Sequence, residues 1–346
     1  MMARRRASNE ELAGLVQGEQ TDAVRRLEDR VAARVLGDLE SRFAVLSQRS
    51  ITAWVAAFGS VQAESGDTAA LRRILSTIRG AVRRLLGPLG PRAQRELDQA
   101  LTDAVLLGAR QHAAFVEEAT GRATRPVSGR PSRGLRRRAA AIGAAIADRR
   151  DRALAILRPS RARRWSDVQA GIGAAQSALP ATRAHIATTV NEAVNEASLT
   201  AIDHQGAQKL WIAERDACVN CAAYSGMVVA ADADFPAGLS WDPNQRGRGK
   251  ALAAPPKHPH CRCRVTAWEE GWAPEGVPSF PDSLRREARR SIARGWSLPT
   301  ESGAARIRAA RELLRTGAGL PKSVEEFAAL AVRAGRFTDR TVPTGP

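Results

Sequence analysis

Cys218-Val219-Asn220-Cys221 and, forty residues further on, His258-Pro259-His260-Cys261-Arg262-Cys263 hold all four cysteines and two of the five histidines of a 346-residue chain. Zinc prefers thiolate and imidazole ligands in a tetrahedron, and a C-x2-C knuckle supplies two adjacent corners with little distortion of the chain. The second run can supply the other two as a C-x-C pair, or as His258 with Cys261 at a spacing that suits a tight turn. The pattern therefore predicts a zinc site on Cys218, Cys221 and Cys261, with His258 or Cys263 as the fourth ligand. The cluster offers more ligands than four corners need, whereas a catalytic zinc keeps an open position, so the predicted metal is structural.

Other readings of the same residues compete. Local disulfides would close short, strained loops, and bridges between the two runs face the reducing environment of an intracellular chain. A redox C-x-x-C needs a βαβ context, and none surrounds this one. Four reduced cysteines could also serve as small buried hydrophobes. Glu214 and Asp216, close to the knuckle, read as turn residues or hydrogen-bond partners that orient it. His112, His185 and His204 lie in helical patterns and read as ordinary surface or core residues.

Around the cluster the sequence is irregular, with Trp211, Trp241, Trp268, Trp272 and Trp296 interspersed with Pro and Gly. The segment predicts a small α+β module, residues 165–281, stapled by the Cys/His set. A helix opens it at Leu179-Pro180, with Ile186, Val190, Val194, Ala197 and Ile202 on one face, and ends near Gly206. Upstream, residues 1–120 read as helical. One apolar stripe runs from about Thr21 to Ser47 through Val24, Leu27, Val31, Val35, Leu39, Phe43 and Leu46. A second holds Leu71, Ile74, Leu75, Ile78, Val82 and Leu85, stopped by Gly87-Pro88 and Gly90-Pro91. A third holds Leu97, Leu101, Val105, Gly108 and Phe115. Such stripes predict bundle cores and offer surfaces for self-association. Residues 282–346 return to helical, Arg-rich patterning, broken at Gly295, Pro299 and Gly303, with a last helix near Val324 to Ala334.

Charge divides the chain unevenly. Of the net +17, residues 122–164 carry +12 from 14 basic and 2 acidic side chains, and residues 283–346 carry +7. Residues 165–282, with all the cysteines, are at −4. Residues 121–164 read as an Arg-rich linker, rich in Pro and Gly as far as Gly134, followed by a short helix from about Leu135 to Leu157. Arg122, Arg125, Arg130, Arg133, Arg136, Arg137 and Arg138 are its candidate contacts to a polyanion, with DNA bound by non-specific electrostatics. No apolar run approaches the roughly 20 residues that span a bilayer. Met1 to Arg6 begins like a signal peptide, but Glu10 and Glu11 stand where an apolar stretch should follow, so that export route is not expected.

The order Trp211, Asp216, Cys218-x-x-Cys221, Gly226, Pro255-Pro256, His258-Pro259 and Cys261-Arg262-Cys263 resembles the C-terminal domain of phage Mu F-like minor head proteins, of the phage head morphogenesis family. The resemblance covers residues 180–270. In that family a helix precedes a Trp strand, an Asp, a C-x-x-C and a Gly turn, and the domain closes on a Pro-His-Pro-x-Cys-Arg-Cys run. Where the family's helix often carries an Arg-Thr-Glu triplet, this chain has Thr188-Thr189-Val190-Asn191-Glu192. The resemblance implies a non-enzymatic virion component, present in few copies and assembled in the host cytoplasm. Its implied partners are portal and head proteins and the packaged DNA.

Two alternatives belong to other classes. A small zinc-stabilised nuclease would use His258 or His260 to activate water, with Asp216 or Asp242 nearby, but no histidine follows His260. A DNA-binding regulator would place a basic helix beside the metal, where this module is acidic.

Overall fold

The structure, a computed structural model, describes residues 5–66, 68–127, 129–272, 278–298, 300–317 and 319–343. Met1 to Arg4, Ser128 of the Arg-rich stretch and Pro299 lie outside the described residues. The helices are α1 (Asn9–Ala13), continued by a π-helical turn Gly14–Glu19, α2 (Gln20–Leu36), α3 (Leu39–Phe58), α4 (Ala69–Leu86), α5 (Leu89–Thr120), α6 (Arg133–Ile156), α7 (Trp165–Gln176) and α8 (Ala178–Gln205). Strands β1 (Gln208–Ile212), β2 (Val228–Val229) and β3 (Arg264–Trp268) follow, then α9 (Phe280–Arg294), α10 (Gly303–Arg315) and α11 (Lys322–Ala334). The fold is mainly helical, with one small antiparallel sheet of order β2-β1-β3 and a Cys/His cluster beside it. Among the described residues, no helix is long and apolar enough to cross a membrane.

The chain packs as two compact units that interleave along the sequence. One consists of Arg26–Thr102 and Pro131–Val190. The other consists of Met1–Arg25, Asp103–Arg130 and Asn191–Pro346. This differs from a linear series of a helical region, a linker, a module and a tail, because α2, α5 and α8 each contribute residues to both units. Periodicity marks a helix and its buried stripe, but not the residue at which the stripe changes partners.

The first unit is all helix. Leu71, Leu75, Ile78 and Val82 of α4 are buried at helical spacing, as the pattern predicts, while at the end of the stripe Leu86 is buried in place of Leu85 and Ile74 is only half-buried. Thr68 caps α4 by accepting from Leu71 N–H, which satisfies one of the donors a helix start leaves free. Trp54 is fully buried, with ring centroids 4.7 Å from Phe58 and 6.1 Å from Trp165. Two expectations change. The stripe from Thr21 to Ser47 is two helices, parted at Gly37, whose φ of +52° only glycine adopts without strain. The segment before Pro180 contains α7, whose buried Trp165, Val168, Ile172 and Ala175 are interrupted by two glycines that blur the pattern. Within the Arg-rich stretch, α6 begins at Ser132, whose hydroxyl accepts from Leu135 N–H.

The second unit holds the sheet and two apolar clusters. β1 pairs antiparallel with β3, Trp211 opposite Val265, and with β2 through Leu210 opposite Val228. One cluster gathers Phe115, Ile202, Trp211, Tyr224, Phe235, Trp268 and Phe280 with Cys221, Cys261 and Cys263. The other gathers Ile292, Ile307, Leu313, Val324 and Phe337 from the C-terminal helices with Val219 and Ala222. The tail is thus packed around its own core, which takes in two residues of the knuckle region.

Close backbone approaches position these elements. A Cβ on Gly108 of α5 would land on the carbonyl of Val194 in α8. Gly226, at φ +74°, turns the chain after the knuckle where a Cβ would meet the carbonyl of Pro281 at the start of α9. Gly108→Ala and Gly226→Ala are each expected to destabilise the second unit by about 1–3 kcal/mol or more, as overpacking and left-handed strain do. Urea unfolding followed by tryptophan fluorescence checks this, and a midpoint equal to that of the native chain would contradict the packing.

Candidate metal centre

The knuckle follows β1. Ala222 N–H donates to Cys218 C=O at 2.9 Å, closing a tight turn that points both thiols the same way, and Cys221 N–H reaches Cys218 Sγ at 3.5 Å. The second run approaches from the other side, with Cys261 N–H donating to His258 C=O at 3.1 Å. His260 sits at φ +61° inside that turn. All four cysteines are free.

The five predicted ligands converge as two triads that share Cys221. Cys218, Cys221 and His258 form one, and Cys221, Cys261 and Cys263 the other. His258 Nε2 lies 3.0 Å from Cys218 Sγ and 3.2 Å from Cys221 Sγ, and Cys221 Sγ lies 3.7 Å from Cys261 Sγ. Metal–sulfur bonds of about 2.3 Å in a tetrahedron give sulfur–sulfur edges of about 3.8 Å, which the last distance matches, whereas the two nitrogen–sulfur distances are hydrogen-bond contacts that a metal would widen. His258 Nδ1 lies 2.8 Å from Pro259 C=O. A proton on Nδ1 donates to that carbonyl, and Nε2 faces the two sulfurs, the position from which it would bind a metal once its own proton is lost. The donor set fits a thiophilic ion.

Electrostatics in the cluster match that role. The Cys218 thiol is held well below its ordinary pKa, first by its hydrogen bond with Cys221 and then, against burial, by His258. Cys261 is lowered in the same way by Cys221 and Cys263. Burial opposes the charge of His258, but the Cys218 contact outweighs it and lifts the imidazole to about 10. Cys221 is pushed the other way, well above the ordinary thiol value, by its hydrogen bonds to Cys218, Cys261 and Cys263 and by burial. Cys263, though lowered by Cys221, is raised on balance by Cys261 and burial. The thiolates of Cys218 and Cys261 in this dry site call for cationic partners.

Helix α8 carries residues that sequence reasoning missed. Asn191 Nδ2 donates to Cys261 C=O at 2.7 Å and to Cys263 C=O at 3.3 Å. Asn195 Nδ2 donates to Cys263 C=O at 3.1 Å, and its Oδ1 accepts from Val265 N–H at 2.8 Å. Both amides are buried and clamp the closing run to the helix. Two asparagines at i, i+4 beside Val190 and Val194 were the available signal, since buried amides at that spacing need partners.

A second buried polar network lies beside the cluster. Arg264, 4% exposed, donates to Gln111 Oε1, and the Gln111 and Gln20 amides each donate to the other's backbone carbonyl at 2.9 Å. Burial pulls the Arg264 guanidinium down to about 9. Glu214 accepts from Arg25 at 3.2 Å, yet burial and then Asp216 raise it to about 8.

The structure separates other candidates. Asp242 is fully buried and held by both Arg308 Nε and Nη2, at 2.9 and 2.7 Å. Arg122, Arg125 and Arg130 are exposed in the segment before α6 and belong to the second unit; Arg133, Arg136, Arg137 and Arg138 are exposed on the first turns of α6 and belong to the first unit. His112 and His185 bond to Gln205 Oε1 and Arg138 C=O, as ordinary residues do.

Comparison of the chain with protein families, curated proteins and solved structures gives no match.

Two predictions follow from this geometry. Cys221→Ser, which breaks both triads, is expected to make residues 207–270 and the C-terminal helices protease-sensitive together, because both cores meet at the knuckle; unchanged digestion would contradict it. Glu214 has a folded pKa above its unfolded value, so the stability it contributes is present below about 4.5 and lost as pH rises through about 8. Glu214→Gln is therefore expected to gain stability over the native chain between pH 5 and 9, by up to roughly 4 kcal/mol. Parallel stability–pH curves would contradict this.

Proposed function

We propose that the chain is a non-enzymatic minor head protein of a phage, similar to the Mu F-like family, in which a structural zinc staples the Cys/His module. The observation that carries this reading is the convergence of the two halves of the motif. A helix, a Trp strand, a C-x-x-C knuckle, a Gly turn and a closing His-Pro-x-Cys-Arg-Cys run occur in the family's order and meet in one buried cluster. Zinc is favoured by its preference for thiolate and imidazole, by the close approach of Cys221 and Cys261, and by the orientation of His258 Nε2 toward the sulfurs.

DNA as a second partner is supported by where the charge lies. The first unit carries 24 Arg and no Lys against 11 acidic side chains, or +13 of the chain's +17. Arg133, Arg136 and Arg137 are exposed, and no acidic partner faces them among the described residues. An arginine-rich surface binds phosphates through counterion release without reading sequence. Residues 191–282, which hold the sheet and the Cys/His cluster, carry 8 basic against 12 acidic side chains, and this balance suits a protein neighbour such as the portal.

The nuclease reading has less support. The imidazole of His258 is engaged by two thiols, and the Asp242 carboxylate is held by Arg308.

On this reading the protein co-purifies with portal rings or with mature capsids, and it binds DNA of any sequence with an affinity that falls by about 0.9 log unit per log unit of salt for each phosphate neutralised. Replacing Arg133, Arg136 and Arg137 with Gln is expected to flatten that slope. A chain that associates with neither portal nor capsid would overturn the assignment.

A further inference from the structure

The residues on either side of Cys218 are held by the C-terminal tail. Ala217 C=O accepts from Arg306 Nη2 at 2.8 Å, and Val219 N–H donates to Glu301 Oε1 at 2.7 Å. The two tail side chains lie 2.8 Å apart, Arg306 Nη2 to Glu301 Oε2. Glu301 is anchored in turn by Arg340, whose Nη2 donates to its backbone carbonyl at 2.9 Å while Nε donates to Ser297 Oγ at 2.7 Å.

Arg306 is an unusual residue to find there. It is 0% exposed, and its Nε and Nη1 meet no hydrogen-bond acceptor among the described residues. A buried guanidinium with two unanswered N–H groups costs several kcal/mol unless a nearby anion offsets it. Glu301 answers only one side of it and is shared with the backbone of the knuckle. Ala217 and Val219 flank Cys218, so the Arg306–Glu301 pair holds the backbone on both sides of a candidate thiolate ligand.

Charge bookkeeping agrees. Three thiolates and one neutral imidazole around a divalent cation carry a net −1. Arg306 and Arg340 against Glu301 give a net +1 on the tail side of the knuckle. A thiolate centre buried in a dry core needs such a partner, as ligand sets are commonly tuned by the groups around them.

We infer that Arg306, tethered by Glu301, is the counter-charge of the Cys218 corner, so that the basic tail forms part of the outer sphere of the metal centre. The inference rests on the zinc reading above. It assigns the tail a role in metal retention, separate from any polyanion contact.

The test uses the full chain and zinc itself, with apparent affinity measured by chelator competition and the ligand field read after cobalt substitution. Arg306→Met keeps the volume and removes the charge, Arg306→Lys keeps the charge, and Glu301→Gln keeps the acceptor for Val219 N–H while removing a negative charge beside Cys218. Arg306→Met is expected to lose at least about tenfold in zinc affinity and to shift the sulfur-to-cobalt charge-transfer band, with Arg306→Lys recovering most of both. Glu301→Gln is expected to bind zinc at least as tightly as the native chain. If Arg306 only fills space, the order reverses, since an apolar isostere of a buried ion is often neutral or stabilising; Arg306→Met binding as tightly as Arg306→Lys would overturn the inference. If Arg306→Met does not fold, weaker zinc binding by Glu301→Gln overturns it instead. A native chain that binds no zinc defeats the zinc reading itself, an outcome distinct from either variant result.

Discussion

The burial of four cysteines and a histidine that converge on Cys221 is the constraint on which the second unit turns. Cys221 belongs to both triads and lies in the same apolar cluster as Trp211, Tyr224 and Phe235. Its neighbours Val219 and Ala222 lie in the cluster built by α9, α10 and α11. One short turn therefore ties the sheet to the C-terminal helices. The surrounding polar groups fit that arrangement: Asn191 and Asn195 satisfy the carbonyls of the closing run, and the contact of His258 Nδ1 with the Pro259 carbonyl orients the imidazole ring. A small, irregular sheet of three short strands buries too little by itself to hold such a module, and a metal contributes folding energy where apolar area is short.

The chemistry of this site was legible in the sequence because cysteine spacing encodes it directly. The two runs are forty residues apart, yet only a few local geometries let C-x-x-C and H-x-x-C-x-C face one centre. Helices α4 and α11 were equally legible, since each has a clear apolar stripe and a glycine at or just beyond its C-terminus. The long helices α5 and α8 were recognisable as helices, but not the change of partner along each of them. The break at Gly37 was hidden because Val31, Val35, Leu39 and Phe43 keep helical spacing across it. Glu301 and Arg306 gave no signal at all. In a segment where Arg is the commonest polar residue, nothing in the sequence distinguishes the one arginine that is fully buried from its solvated neighbours.

The two units divide the chemistry as well as the chain. One is a helical body that carries +13 of the net +17 and no cysteine. The other holds the metal-site residues, the sheet and nearly balanced charge. On the proposed reading, with a polyanion and a protein assembly as partners, this division separates the two surfaces, since a field that attracts phosphate would repel a basic neighbour and draw acidic ones indiscriminately.

The account depends first on the metal. Elemental analysis of protein purified without a metal-binding tag, combined with thiol titration before and after chelation, tests it most directly. One zinc per chain, with thiols that react only after chelation, is the predicted result. No metal and four freely reactive thiols would contradict it.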